Sequence, residues 1–262
     1  MSKNYSGRID PDSEEWKSTK WADLLKERYY LASLFTENKV VLDSCCGTGF
    51  GTVNLIAPVA KFTVGVDLCE SAMKDYGKSD NYEFLVMDGR SLKFDADTFN
   101  IVLSLDAIEH FKRADGLTYL SEIKRVCSQE GLIIGTTPLV AEDSLIPVFL
   151  EWNKFHYCMY TREDLHRTLA GIFPAVRIFE IYSRACPYFL FLCGKSKESI
   201  ADRHLQIIEE YISDNERNFI KGKISSYFLW GKVLIKKMRL LEGARFLFSS
   251  ASLILKGFLR CR

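Results

Sequence analysis

The sequence predicts a doubly wound α/β fold, a seven-stranded and mostly parallel sheet whose last strand is antiparallel, followed by a C-terminal helical appendage. Three observations carry this expectation. From about Lys39 to Gly194, short β-branched or aromatic runs alternate with longer helical stretches, the pattern of a parallel sheet wrapped by helices. The first run passes straight into the glycine-rich segment CCGTGFGT, a strand-to-helix turn. The last two runs are joined by Ser183–Pro187 alone, too short for a crossover helix, so the sheet ends in an antiparallel hairpin.

In chain order, a helix comes first, because Trp21, Leu24, Leu25 and Leu31 lie near helical spacing; it either leans on the domain or covers a ligand. Strands are expected at Lys39–Ser44, Phe62–Val66, Tyr82–Met87, Phe99–Leu105, Leu132–Thr136, Val176–Tyr182 and Tyr188–Cys193. The clearest helical patterns between them are Leu117–Val126 and Thr161–Leu169, the second opened by Thr161 with Asp164 as a capping box. Past Gly194 the strand pattern stops and Lys195–Arg262 reads as helices separated by polar joints. The chain thus divides into an N-terminal helical segment, 1–36, a ligand-binding sheet domain, 37–196, and a basic helical appendage, 197–262.

At 262 residues the chain is long enough for one main core with a modest addition. An apolar share of 47% rules out disorder of the whole chain, and a net charge of +1 gives no reason to expect nucleic acid as partner. The polar N-terminus, MSKNYSGRIDPDSEEWKSTKW, holds no apolar run long enough for a signal peptide, so a cytoplasmic protein is expected. The eight cysteines sit mostly in apolar runs and never as Cys-x-x-Cys, which reads as reduced thiols and assigns no metal.

The segment VVLDSCCGTGFGT places Gly47, Gly49 and Gly51 where backbone N–H groups can approach a ligand with no side chain in the way. The spacing is G-x-G-x-G, and Thr52 stands where the dinucleotide fingerprint needs its last Gly, so an NAD or FAD site is disfavoured. Asp43, inside the strand end, suits a ligand with a cationic end. Asp67 ends the next strand, where acidic residues hold ribose hydroxyls in folds of this kind. The third strand ends in Asp88 and Gly89, and the fourth in Asp106, Glu109 and His110. Ligands of open α/β sheets bind outside the carboxyl ends of strands, so these groups are expected to converge on one crevice.

On the segments LDSCCGTGFGT, VGVDLCESAM, MDG, DADTFNIVLSLDAIEHF, YLSEIKRVCSQEGLIIGTTP and NKFHYCMYTREDL, the chain resembles the class I S-adenosylmethionine-dependent methyltransferases. Within that class it is most similar to the small-molecule group of ubiquinone-biosynthesis and surface-glycan enzymes. The resemblance runs from about Arg28 to Cys193 and implies a Rossmann-like methyltransferase fold with S-adenosyl-L-methionine as cofactor. It places Asp43 and Gly47 near the methionine moiety, Asp67 at the ribose and Asp88 at the adenine amino group, with Cys45, Gly49, Leu68, Gly89 and Leu105 as further cofactor-binding residues. Cys45 departs from the family, where Gly or Ala is usual.

Methyl transfer from a sulfonium needs mainly positioning of the acceptor, and a hydroxyl acceptor also benefits from a base. His110 follows the fourth strand and His156 lies in an aromatic stretch where the family places substrate-facing residues, so both are candidate catalytic groups. Trp152, Phe155, Tyr157 and Tyr160 are candidates for the acceptor wall, while His166 and His204 read as structural. The acceptor pocket falls between Pro138 and Thr161, which leaves a sugar hydroxyl, a phenol, a lipid head group and an amine open. A non-catalytic cofactor-binding subunit of the same fold is the alternative reading. From Phe219 to Arg262 ten basic residues face Glu242 alone, which points to peripheral contact with an anionic membrane face or a membrane-bound partner.

Overall fold

Val, Ile and Leu alternate along the central runs so that neighbouring residues face opposite sides, the two-residue period of strands buried on both faces. In the computed structural model, which describes residues 8–215 apart from 75, 78, 184 and 185, together with 218, 221, 223 and 224, these runs form a seven-stranded sheet. Its strands are β1 (Val40–Ser44), β2 (Phe62–Asp67), β3 (Tyr82–Val86), β4 (Phe99–Leu105), β5 (Cys127–Pro138), β6 (Ala175–Ile181) and β7 (Tyr188–Gly194). The spatial order is β3-β2-β1-β4-β5-β7-β6. β1 pairs in parallel with β2 and β4, and β7 runs antiparallel between β5 and β6.

Leu42, Val64, Val102 and Ile133 point to one face of the sheet, and Val41, Ile101, Leu103, Leu132 and Ile134 to the other. On the first face pack α2 (Arg113–Val126), through Tyr119, Leu120 and Ile123, and α4 (Arg162–Ala170), through Leu165 and Leu169. On the second pack α1 (Lys20–Ser33), through Leu24, Leu31 and Ala32, and α5 (Asp202–Asp214), through Ile208 and Tyr211. Truncating a fully enclosed member such as Leu42 to Ala would cost about 2–5 kcal/mol. The order of strands reverses between β1 and β4, and the crevice beyond their carboxyl ends is where an open sheet of this kind binds ligands.

Three local expectations are corrected. β5 begins at Cys127 rather than Leu132: Cys127 pairs with Phe99, and the polar Ser128, Gln129 and Glu130 fall in the bulge before Leu132 pairs with Ile101, a stretch that a hydrophobic reading passes over. Thr161 caps α4 in position only: its side chain makes no cap hydrogen bond, and Asp164 turns instead to Arg113 at 2.5 Å. Among the described residues, the β2–β3 and β3–β4 links carry no α-helix, only the short turn Glu70–Ala72 and irregular backbone. No described helix is long and apolar enough to cross a membrane. Most of Phe219–Arg262 lies outside the described residues.

Candidate active site

β1 hands the chain to a loop that must bend sharply to start the short wide-turned helix Thr52–Ile56. It does so with positive φ at Cys45 (63°), Gly47 (60°) and Gly49 (78°). A side chain at Cys45 makes that conformation costly, by about 1–2 kcal/mol, a cost that the Gly of some members of the resembled family would avoid. The three glycines serve different ends. A Cβ on Gly47 would meet nothing within 4 Å, so this position offers bare backbone to open space. A Cβ on Gly49 would lie 2.6 Å from the Phe84 ring, and one on Gly51 2.3 Å from the Tyr29 ring. Close approach to a ligand is therefore the task of Gly47, whereas Gly49 and Gly51 are small so that aromatic rings can pack on the loop.

A cavity of about 740 Å³ opens over these strand ends, within the range of small-molecule sites. Cys45, Gly47, Asp67, Leu68, Asp88, Gly89, Leu105, His110 and His156 all lie on its wall. Asp43 and Gly49 do not. Asp43 sits beneath the loop, 1% exposed, and accepts hydrogen bonds from Thr52 Oγ1 at 2.5 Å and Tyr29 Oη at 3.0 Å. Burial pushes its carboxyl up to about 7 against those two donors. Its observed role is to bind α1 to the glycine loop.

Asp67 is buried at the cavity wall and accepts from Gly47 N at 3.0 Å, Cys69 N at 2.9 Å and Arg8 Nη2 at 2.7 Å. The Arg8 guanidinium thus holds one carboxylate oxygen that ribose hydroxyls would use. Lys74 draws the same N-terminal strap across the crevice by pairing with Asp10 at 2.7 Å. Asp88 accepts from Arg90 through both oxygens, which holds its carboxyl below its ordinary range.

The far end of the cavity is built differently. The turn Ile108–His110 after β4 and the loop Asn153–Cys158 are laced together: Tyr157 N and Cys158 N donate to the Glu109 carbonyl at 2.8 and 3.2 Å, and His110 Nδ1 meets the Phe155 carbonyl at 2.9 Å. This brings the His110 and His156 rings edge to face, 5.0 Å between centroids. Burial lowers the pKa of both, that of His156 to about 4, so each ring is neutral near pH 7 and keeps a lone pair. Glu109 is fully enclosed, and neither carboxyl oxygen has a hydrogen-bond partner among the described residues. Burial raises its pKa, tempered by the Arg28 guanidinium. Arg28, itself buried, pairs with Asp106 and stacks 4.6 Å over Tyr188.

Residues 41–131 match the family model described as a methyltransferase domain. That stretch runs from β1 to the start of β5 and carries the sequence pattern of a methyltransferase domain. The chain's fold is that of a solved Pyrococcus horikoshii OT3 protein, with a TM-score of 0.55 at 22% identity over 73% of this chain and 95% of that one. A putative methyltransferase of Bacillus halodurans C-125 gives 0.54 at 17% identity, over 65% of this chain and 98% of that one. Among curated proteins, a tRNA U34 carboxymethyltransferase of Histophilus somni (strain 2336) is 29% identical over 148 residues, 54% of this chain. The chain spans 44% of that relative's length.

The residues present fit the cofactor of this domain class: bare backbone at Gly47, a buried carboxylate at Asp67, and the exposed Leu68 side chain at the wall between Asp67 and the opening. Of the aromatic candidates, Phe155 and Tyr157 line the cavity and Tyr160 is core, 1% exposed. His166 lies on the outer surface of α4, and His204 packs on Phe35 while accepting from Ala201 N. Four wall or support residues were not singled out by sequence reasoning: Arg8, Arg28, Tyr29 and Arg90. Arg28 and Tyr29 stand beside Leu24 and Leu31 on the expected helix, and a long polar pair on its buried side was the available signal.

Proposed function

We propose that this chain transfers a methyl group from S-adenosylmethionine to a hydroxyl of a small-molecule, glycan or lipid-linked acceptor. One observation carries the reading: a single cavity joins Gly47 and Asp67 at one end to two neutral, lone-pair-bearing imidazoles at the other. The bound cofactor supplies a methyl already activated on a sulfonium. In the reading, the bare backbone at Gly47 together with Asp67, Leu68, Asp88, Gly89, Cys45 and Leu105 seats it, with Arg8 moving off Asp67. The acceptor oxygen forms its bond to carbon as the sulfur–carbon bond breaks, and the hydroxyl proton passes to His110 or His156. Asp43 acts from beneath, by fixing the loop.

Calorimetry with S-adenosylmethionine and its demethylated product, followed by transfer of labelled methyl to pooled hydroxyl acceptors, tests this. Binding without any transfer would favour a non-catalytic subunit, and absence of binding by folded chain would remove the reading. The likeness to a tRNA-modifying relative favours a second reading, a nucleic-acid acceptor. Label recovered on bulk tRNA and not on small hydroxyl compounds would select it. The division at residues 36 and 196, and peripheral membrane contact through 219–262, belong to the same proposal. The ten basic residues of that segment support salt-sensitive sedimentation of the full chain with anionic but not neutral vesicles.

A further inference from the structure

The acceptor end of the cavity holds an enclosed carboxylate that makes no hydrogen bond of ordinary geometry, with the Arg28 guanidinium and the Thr137 hydroxyl as its near neighbours. A buried carboxyl without a hydrogen-bond partner is costly, and such groups in native proteins are paired, protonated or bound to a cation. Glu109 is that group, with both Oε atoms enclosed and unpartnered among the described residues. Its nearest ligand-type companions are His110 and His156, and one donor atom from each of the three falls within 4.8 Å of the others. Arg28 is close enough to bear on Glu109; its Nη1 pairs with Asp106 and its Nε is without a hydrogen-bond partner among the described residues, yet no hydrogen bond joins it to Glu109.

We propose that Glu109, His110 and His156 hold one divalent transition-metal cation at the acceptor end of the cavity, with its open coordination positions facing the acceptor. Two imidazoles and one carboxylate are the donor set of first-row ions such as Mn²⁺, Fe²⁺, Co²⁺ and Zn²⁺, whereas Ca²⁺ and Mg²⁺ prefer oxygen cages. With bonds of about 2.1 Å, ligand atoms of a tetrahedral centre lie roughly 3.4 Å apart, so small side-chain rotations close the gap from 4.8 Å. The outer contacts already orient the rings. The Phe155 carbonyl takes the proton on His110 Nδ1 and so leaves Nε2 with its lone pair. Asn153 accepts from Phe155 N–H at its Oδ1 and donates from its Nδ2 to His156 Nε2, which marks Nε2 as the lone-pair atom, one the cation takes over from the amide. Three protein ligands leave room for an acceptor oxygen, whose proton the bound cation makes easier to remove; with both imidazole lone pairs on the cation, that proton leaves to solvent rather than to His110 or His156. This role toward the acceptor rests on the methyl-transfer reading; binding of the cation does not.

The test uses the full wild-type chain without cofactor. Titration with Mn²⁺, read by calorimetry and electron paramagnetic resonance, is expected to show one saturable site per chain. In proton spectra, Mn²⁺ is expected to broaden the imidazole signals of His110 and His156 and leave those of His166 and His204 sharp. Glu109→Gln and His156→Ala are each expected to weaken binding roughly 10–100-fold or more. Absence of a saturable site, broadening centred on His166 or His204, or affinity unchanged in both variants would overturn the proposal. The wild-type spectra decide the matter if a variant fails to fold. Chain that binds S-adenosylmethionine but not Mn²⁺ sinks the metal site alone, and chain that binds Mn²⁺ but not S-adenosylmethionine sinks the methyl-transfer reading alone.

Discussion

The two ends of the cavity satisfy their polar groups in opposite ways. At the cofactor end the carboxylates are served mainly by the chain close by: Asp67 by Cys69 N and Gly47 N, Asp88 by Arg90, Asp43 by Thr52 and Tyr29. At the acceptor end His110 is fixed by a carbonyl 45 residues away, and Glu109 is fixed by its backbone while its carboxylate goes unanswered. The first end is a preformed seat, and the second is poised for something the protein alone does not supply. Preorganisation at one end lets binding energy be spent on position, whereas unsatisfied groups at the other gain their partners only with the bound state.

The sharpest way to break this contrast is to cut the acceptor end and watch the cofactor end. His156→Ala is expected to lower turnover about 10²–10⁴-fold while leaving the dissociation constant for S-adenosylmethionine unchanged. Steady-state kinetics beside calorimetry checks both halves, and a parallel loss of cofactor affinity would mean that the two ends are one unit.

The seat beneath the glycine loop should have its own pH signature. Burial raises the folded-state pKa of Asp43 from its ordinary 3.8 to about 7, so the native state binds the extra proton between those values. Its contribution to stability is full below about pH 4 and is lost as pH rises through 7, by at most about 4 kcal/mol. Urea unfolding at pH 5 and pH 8 reads the difference, and Asp43→Asn should flatten it. A slope that survives in Asp43→Asn would assign it to other groups.

Asp67→Ala removes an acceptor from the seat and is expected to weaken binding of S-adenosylmethionine by about 1–3 kcal/mol, and to lower thermal stability as well because Gly47 N–H and Cys69 N–H lose their acceptor. Arg8→Ala should act in the reverse direction and more weakly. It frees the Asp67 oxygen that the strap now holds, so the dissociation constant should fall about 2–5-fold, the scale of a partly exposed ion pair. Unchanged affinity in Arg8→Ala would show that the strap yields without cost.

Much of the seat was legible in the sequence because its chemistry is local. The glycine spacing and each strand-end carboxylate, Asp67 and Asp88, can be read from the few residues around it, and the class resemblance rests on the same segments. The distinct tasks of the glycines were not legible, since the rings that press on Gly49 and Gly51 come from Phe84 and Tyr29, tens of residues away. Nor was the position of Asp43 below the cavity, which depends on how α1 lies on the sheet.

By itself, the sequence determined the strand pattern and the antiparallel hairpin that ends the sheet, because periodicity and turn chemistry act over short stretches, whereas the strand order with its reversal between β1 and β4 came from the structure. It also offered His110 and His156 as separate candidates. Only the tertiary structure decided that they meet. Glu109 looked like one more acidic residue at a strand end, and burial without a partner is a property of the whole fold around it: the helix that brings Arg28, the strand that brings Thr137, and the loop that brings His156.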